Sequence, residues 1–439
     1  MTTPPGAAGP IRRWLREHLN DQLYRTSYFL IIGTGVTSLL GVAFWALAAH
    51  VYSARIVGLN AAAISAMTLV SGACSLGLSA VLVRYLPVAG AATRKLVAGT
   101  YGLTVTLSLG LGAAVALASS VWSPRLAFLG GGGWLIGFTV ATAAATVFTL
   151  QDSALTGLRA AKWVPLENSL YSLAKLILLL GLAGALPGSG PFVAWNSPVV
   201  PAIVLINYLI FRRLIPAQRS TGSLDRRKVL AMAAGNYGGN LFSLAGTLYL
   251  PILVANLTSA EKAAYFYVPW LISLSLQLVA VNVMTSLTVE AALDMPRLSE
   301  LVRQAFAHSM RLVLPVVALA AIAAPWVLLV FGSAYADAGT SLLRWLAIGA
   351  IPNVIVSVGV SVARIKHRGW VVVAAQGGNS VIVVALSAVL LPSQGIATVG
   401  IAWTASQTLI AVLMLGSILR PLLLPRRWSK NASRKAPDA

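Results

Sequence analysis

Twelve apolar segments follow one another along the chain, separated by short loops. A helix needs roughly 20 mostly apolar residues to cross the hydrocarbon core of a bilayer. The pattern therefore predicts an all-α polytopic membrane protein with about twelve transmembrane helices, the first of them an uncleaved helix rather than a signal peptide. The predicted spans are residues 27–49, 60–83, 96–119, 133–151, 163–187, 192–211, 229–257, 263–289, 312–333, 340–363, 370–392 and 395–419.

The composition excludes a soluble protein of this length. Charged residues make up 10% of the 439 residues and hydrophobic residues 58%, whereas a soluble domain carries about 25% charged residues. So few charges could not cover a water-exposed surface. Twelve spans and their loops use the whole chain, so no separate soluble domain is expected.

Lysine and arginine alternate between the two sides of the predicted membrane. The two terminal segments and every second loop carry 27 of the 32 basic residues, and the opposite loops carry four. Short loops rich in Lys and Arg stay in the cytoplasm, so both termini are predicted to be cytoplasmic. The net charge of +21 then indicates contact with anionic membrane lipids rather than with nucleic acid.

A basic linker at residues 216–228 divides the spans into two groups of six. Six spans per lobe give both lobes the same orientation, as in a parallel repeat. In agreement, Phe44–Ala63 aligns without gaps onto Tyr249–Val268, each as a helix end, an outer turn and the next span. The predicted organisation is a cytoplasmic tail (1–26), an N-lobe (27–215), the linker (216–228), a C-lobe (229–420) and a basic cytoplasmic tail (421–439).

The chain lacks the residue patterns of common enzyme sites. Cys74 is the only cysteine, which excludes an internal disulfide and a cysteine-based zinc cluster. The four histidines are not spaced as metal ligands, and the phosphate-binding glycine loop is absent. We therefore expect no catalytic residue, metal or cofactor.

Lys175 is the most unusual polar residue, because it is the one charged side chain in the middle of a predicted span. It lies twelve residues into span 5, and a rise of ~1.5 Å per residue places it near the bilayer midplane. Asn168, Tyr171 and Ser172 precede it by seven, four and three residues, so they share its helix face. The stripe predicts a lumen-facing cation that binds an anionic group, or else a lysine hydrogen-bonded to carbonyls in the packed bundle.

Other spans carry polar residues at three- and four-residue spacing. Asn236 and Asn240, one turn apart in span 7, are costly to bury, and they predict either a wet cavity or a packed amide pair. Gln277 in span 8 and Asn353 in span 10 are the other amides predicted to line a central cavity. Close helix packing is the better explanation of the hydroxyl stripe in span 2. That stripe consists of Thr68, Ser71, Ser75 and Ser79.

Acidic residues are absent from the centre of every predicted span. Asp152, Glu167 and Glu290 lie near predicted cytoplasmic ends. An ion-coupled pump normally holds a carboxylate inside the membrane, where it can be neutralised reversibly. The sequence thus disfavours such a pump and favours a carrier of anions.

Several short motifs of the first two spans, together with Lys175, carry a family resemblance. The motifs are Ser27–Gly35, the outer-turn run Ala54-Arg-Ile-Val-Gly58, and Gly77–Pro87 with its Arg-Tyr-Leu-Pro end. In these the chain resembles the polysaccharide-transport (O-antigen and lipid-linked oligosaccharide flippase) family of the multidrug/oligosaccharidyl-lipid/polysaccharide exporter superfamily. That family implies two six-helix lobes in a V-shaped exporter fold, with a central cavity that opens alternately to each side.

The resemblance also implies a substrate and a location. A polyprenyl-diphosphate-linked oligosaccharide would be flipped across the bacterial plasma (inner) membrane for capsule, O-antigen lipopolysaccharide or exopolysaccharide assembly. Lys175 would contact the diphosphate or an acidic sugar. Arg84 and Arg364 would collect the headgroup at the cytoplasmic entrance, although each is equally explained as an interface anchor.

The implied partners are this lipid-linked oligosaccharide, glycosyltransferases and a polysaccharide polymerase. Two alternatives remain open. One is a cation-coupled exporter of drugs or metabolites from the same superfamily, and the other is a non-transporting membrane scaffold of a glycan-assembly complex.

Overall fold

The computed structural model describes residues 22–216, 226–293 and 295–423, which are helical almost throughout. Residues 1–21 and 424–439 of the predicted tails and the centre of the predicted linker lie outside these residues. Fourteen α-helices of seven residues or more are described. They are α1 (Gln22–Val51), α2 (Ala54–Cys74), α3 (Leu78–Tyr85), α4 (Thr93–Leu117), α5 (Gly132–Gly157), α6 (Trp163–Leu182), α7 (Gly190–Asn196), α8 (Val199–Leu209), α9 (Arg226–Leu257), α10 (Ala260–Leu293), α11 (Leu298–Leu329), α12 (Ser333–Ile365), α13 (Gly369–Gln394) and α14 (Ala397–Met414).

Each predicted span corresponds to one of these helices or to two consecutive ones, which confirms the all-α membrane fold. Among the described residues, nine helical stretches are long and apolar enough by themselves to cross a membrane. α6 is not among the nine, and it carries Glu167, Asn168 and Lys175. The side of the membrane that each helix end faces stays a prediction.

The chain divides into two compact units. Unit 1 extends beyond the predicted N-lobe, because it also holds α9 and the beginning of α10. The division falls inside α10, directly before Pro269. Unit 1 comprises Met1–Val268 and Leu329–Tyr335, and unit 2 comprises Pro269–Leu328 and Ala336–Ala439.

The predicted second span is broken into two helices. α2 ends at Cys74, and the next residues include Leu76 and Gly77 with φ angles of 50° and 70°. A right-handed helix cannot continue through such left-handed residues. A Cβ at Gly77 would also lie 2.7 Å from the carbonyl oxygen of Ala233 in α9. The span predicted at 60–83 is therefore built from two helices, and glycine is needed both for the turn and for the approach of α9.

α5 lies at the centre of unit 1, in contact with α2, α3, α4, α6 and α8. Thr146 on α5 joins two neighbouring helices through hydroxyl groups. Its Oγ1 lies 3.0 Å from Oγ of Ser71 on α2 and 2.8 Å from Oγ of Ser108 on α4. All three side chains are buried. Ser71 of the predicted hydroxyl stripe thus serves helix packing.

The turns between α1 and α2 and between α9 and α10 have the same construction. Each is two residues long, and a serine directly precedes the second helix. The Oγ of Ser53 accepts a hydrogen bond from the backbone N–H of Ile56 (3.4 Å), and the Oγ of Ser259 accepts one from Lys262 (3.2 Å), so both serines are N-caps. The gapless sequence alignment places Ser53 opposite Thr258, whereas the structural equivalent of Ser53 is the next residue, Ser259.

The last helix of each half also ends in the same way. π-helical segments, Ile210–Leu214 and Leu415–Leu419, follow α8 and α14. π-helical turns are rare in proteins. Their recurrence at corresponding ends, together with the two capped turns, supports the predicted parallel repeat.

α2 and α10 cross with their backbones in contact. Gly58 on α2 is buried, and a Cβ at this position would overlap the carbonyl oxygen of Ala260 and lie 2.9 Å from the backbone nitrogen of Ala264. Backbone atoms cannot move aside as a flexible side chain can. The outer-turn glycine of the family resemblance is therefore explained by this crossing.

We expect Gly58→Ala to lower the melting temperature of the purified protein in detergent, because the added methyl group forces α2 away from α10 at a cost of ~1–3 kcal/mol. Gly99→Ala on α4 is the matched control, since a Cβ there meets nothing within 4 Å. That variant should melt at or above the wild-type temperature, because alanine is the better helix former by about 1 kcal/mol. Equal melting of both variants would contradict the backbone contact.

Candidate functional site

Lys175 lies inside unit 1 rather than on its surface. α6 ends at Leu182, five residues before the end of the predicted span. Lys175 is consequently ~18 Å along the helix from Trp163 and ~10 Å from Leu182, which brings it nearer to the end of the helix than the sequence predicted. Its side chain is 3% exposed. The ammonium group is therefore enclosed by protein.

Three aromatic rings surround this ammonium group. The Nζ atom lies 3.8 Å from the ring centroid of Trp195, 4.9 Å from that of Tyr171 and 5.5 Å from that of Phe44. All three distances fall within the range of a cation–π contact, which contributes ~2 kcal/mol or more when water is excluded. The rings belong to α7, α6 and α1. We call Phe44, Tyr171 and Trp195 the aromatic cage.

Other contacts hold the aromatic cage in place. The hydroxyl group of Tyr171 donates a hydrogen bond to the carbonyl oxygen of Trp195 at 2.9 Å, which ties α6 to α7. The Phe44 and Trp195 rings meet edge to face at 5.2 Å. Trp45 stands behind them, 5.8 Å from Trp195 and 4.7 Å from Tyr267 on α10. Four helices thus supply rings that position or support the cage.

The ammonium group has no counterion within the described residues. Neither a hydrogen bond nor an ion pair of Lys175 is found there. An enclosed charge without a partner costs several kcal/mol, and the cage offsets only part of this. Among the described residues, no carbonyl oxygen accepts a hydrogen bond from the ammonium group. Its contact with a lumen stays a prediction.

The predicted polar stripe of α6 divides into two parts. Ser172 is buried beside Lys175, and Tyr171 belongs to the aromatic cage. Asn168 takes part in a different cluster, because its Nδ2 donates to Oδ2 of Asp152 at 3.1 Å. The structure therefore brings Tyr171, Ser172 and Lys175 together and separates Asn168 from them.

The remaining predicted residues of unit 1 are not among the described contacts of the cage. Asn240 on α9 is exposed. The side chain of Asn236 lies outside the described residues. Arg84 is exposed in the last turn of α3, a position that suits an interface anchor as well as an entrance.

The other predicted cavity residues belong to unit 2. Gln277 is half-buried, and its Nε2 lies 3.4 Å from Oγ of Ser273 one turn earlier. Asn353 is half-buried on α12, and Arg364 is exposed near the end of the same helix. Their participation in a common cavity with Lys175 stays a prediction.

A second polar site was missed by the sequence reasoning. Gln151 Nε2 donates to Oε1 of Glu167, and Asn207 Nδ2 donates to Oε1 of Gln151 at 2.9 Å. With the Asn168–Asp152 hydrogen bond, these contacts join α5, α6 and α8. We call Gln151, Asp152, Glu167, Asn168 and Asn207 the carboxylate cluster.

A signal for this cluster is present in the sequence. Two adjacent polar pairs, Gln151-Asp152 and Glu167-Asn168, lie sixteen positions apart on the two arms of a helical hairpin. Both acids lie near helix ends, a position that predicts contact with water. The hydrogen bonds across the hairpin nevertheless leave Asp152 half-buried and Glu167 only 5% exposed.

Solved structures with the same fold are transporters. A multidrug resistance MATE family transporter of the MOP superfamily, in its inward-facing conformation, is 16% identical over 88% of this chain and 95% of its own, with a TM-score of 0.67. The lipid II flippase MurJ, in an inward closed conformation, is 13% identical over 88% and 86%, with a TM-score of 0.70. A MOP superfamily transporter from Pyrococcus furiosus is 16% identical over 91% and 96%, with a TM-score of 0.63.

Neither a protein-family model nor a curated protein sequence matches the chain. At these identities the likeness to solved structures shows the fold. It is the twelve-helix, two-lobe fold of multidrug exporters and of a lipid-linked flippase.

Proposed function

We propose that the protein is a flippase that moves a polyprenyl-diphosphate-linked oligosaccharide across the plasma membrane by alternating access, for cell-surface polysaccharide synthesis. One observation carries the proposal: the ammonium group of Lys175 is enclosed in unit 1 without a counterion among the described residues. The fold supports a transporter of this general kind.

An unpaired, enclosed cation favours an anionic substrate group. A diphosphate offers oxygen acceptors whose charge-assisted hydrogen bonds to an ammonium group are roughly twice as strong as neutral ones. Removal of that diphosphate from water is costly unless the protein supplies partners. Lys175 would supply one of them at the point where water is scarcest.

The aromatic cage would hold the ammonium group while substrate is absent. Cation–π contacts are weaker than charge-assisted hydrogen bonds, so a diphosphate would displace the rings from Nζ. Trp195 lies on α7, a helix of seven residues, and movement of this short helix would uncover the lysine. The rings would then close again after release of the headgroup.

The carboxylate cluster favours a second candidate, a cation-coupled exporter of drugs or metabolites. Asp152 and Glu167 would provide the reversibly neutralised acids that such a pump needs, although they lie near helix ends rather than at the centre of a predicted span. A deletion strain separates the two candidates. Loss of surface polysaccharide with normal drug resistance supports the flippase, and the opposite result supports the exporter.

Substitution of Lys175 tests the flippase directly. Lys175→Ala should abolish surface polysaccharide in a complemented deletion strain at a normal protein level, whereas Lys175→Arg should keep part of the activity because the charge remains. Lys162→Ala is the matched control, since Lys162 is exposed beside the first residue of the same helix. Unchanged export in Lys175→Ala would remove this residue from the mechanism, as the scaffold alternative requires.

The stability of a second variant tests whether Lys175 is kept for function. Lys175→Met should melt at or above the wild-type temperature in detergent, because an apolar side chain of similar length removes the cost of the unpaired charge. Phe44→Ala, by contrast, should lose ~3–5 kcal/mol through the cavity that it leaves. A marked drop in melting temperature for Lys175→Met would indicate that the lysine is structural.

A further inference from the structure

Three buried oxygen atoms of the carboxylate cluster have no hydrogen-bond donor among the described residues. They are Oδ1 of Asp152, Oε2 of Glu167 and Oδ1 of Asn207. A buried acceptor that lacks a donor costs ~1–3 kcal/mol, and more when it is charged. Three such acceptors in one hydrogen-bonded cluster indicate that a donor or a cation belongs there.

Two of the three amide groups of the cluster have no hydrogen atoms left to offer. Asn168 Nδ2 donates to Asp152 and to the carbonyl oxygen of Val164. Asn207 Nδ2 likewise donates to Gln151 and to the carbonyl oxygen of Ile203. An amide nitrogen carries two hydrogen atoms, so both side chains are fully used. Gln151 Nε2 donates one hydrogen bond among the described residues, to Glu167, so its second hydrogen atom can serve at most one of the three unpaired oxygens, and the others need a donor from elsewhere.

Basic side chains in the described part of the chain do not supply the missing hydrogen-bond donor. Arg159 and Lys162, on the turn between α5 and α6, are both exposed. From α4, Tyr101 lies within electrostatic reach of Asp152 and Glu167, and its buried hydroxyl group also has no partner. α1 packs against α6 through Gly33 and Pro165. The side chains of residues 22–32 of α1 lie outside the described residues.

A cavity gives access to the cluster. It occupies about 240 Å³ between α6 and α8, and Glu167 and Tyr171 are among its lining residues. Apolar side chains such as Leu170 and Leu205 line most of the rest. Apolar cavity walls do not hold water, so a water molecule fits only at the polar end of this space, beside the carboxyl group of Glu167. The apolar walls also disfavour a hydrated metal ion.

We propose that Asp152 and Glu167 form a proton-binding site that accepts one proton from water through this cavity. The carboxyl O–H formed in this way donates to one of the unpaired oxygens, and the pair of acids then carries one negative charge instead of two. Groups of three or more His, Cys, Asp or Glu side chains that could hold a metal ion are not found among the described residues, which leaves a proton as the simplest ligand for two acids.

The proposed site lies in line with the aromatic cage. Glu167, Tyr171 and Lys175 follow one another at four-residue spacing on α6, and so form one row on the helix surface. Tyr171 lines the cavity beside Glu167, and its ring also contacts the ammonium group of Lys175. Proton binding by the acid would thus be transmitted to the cage through a single side chain.

Infrared spectroscopy of the full-length protein in lipid vesicles tests the site without any substrate. The wild type should show the carbonyl stretching band of a buried carboxylic acid, which shifts in deuterium oxide and is lost as the pH is raised. Glu167→Gln and Asp152→Asn should each remove or displace this band. Asp337→Asn is the matched control, because Asp337 is exposed, and should leave it unchanged.

Two results would overturn the proposal. Absence of the band from the wild type at every pH would show that neither acid binds a proton, and this measurement needs no variant to fold. Removal of the band at constant pH by sodium, but not by a bulky organic cation, would assign the site to a metal ion instead. Neither the pH titration of the band nor its response to sodium uses a glycan. Both measurements therefore test the proton site even if the flippase proposal fails.

Discussion

An ammonium group enclosed by aromatic rings is the constraint that the interior of unit 1 has to accommodate. A charge so far from water is tolerated only if the surrounding groups are polarisable and fixed in place. Phe44, Tyr171 and Trp195 meet this requirement because hydrogen bonding and ring packing hold them. Rings from α1, α6 and α7 therefore converge on one side chain, and the interior of unit 1 combines an enclosed charge with an apolar core.

The fold was largely predictable from the hydropathy of the chain. Spans in a bilayer must satisfy their backbone internally, so apolar runs of sufficient length become helices whatever their neighbours. Local backbone conformation was not predictable in the same way. The break after Cys74 depends on left-handed residues at Leu76 and Gly77, and hydropathy does not report φ. The sequence alignment of the two outer turns is shifted by one residue from the structure, because the feature that the turns share is a serine N-cap rather than an apolar pattern.

The candidate site was predictable only in part. Lys175 stands out because any charge within an apolar run does. Its surroundings do not stand out, since Phe44 and Trp195 are apolar residues in apolar helices and look like ordinary core. Asp152 and Glu167 do not stand out for the opposite reason. Position near a helix end suggests contact with water, whereas hydrogen bonds across the α5–α6 hairpin connect both acids to a cluster inside the bundle.

The crossing of α2 and α10 at Gly58 has a consequence for movement. Most helix pairs interlock through ridges of side chains, which resist rotation as well as sliding. Here main chain touches main chain, and the position of Gly58 contributes no ridge. The two helices can therefore change their crossing angle about this contact with little resistance. Moving them apart would instead leave an unfilled space between the two backbones.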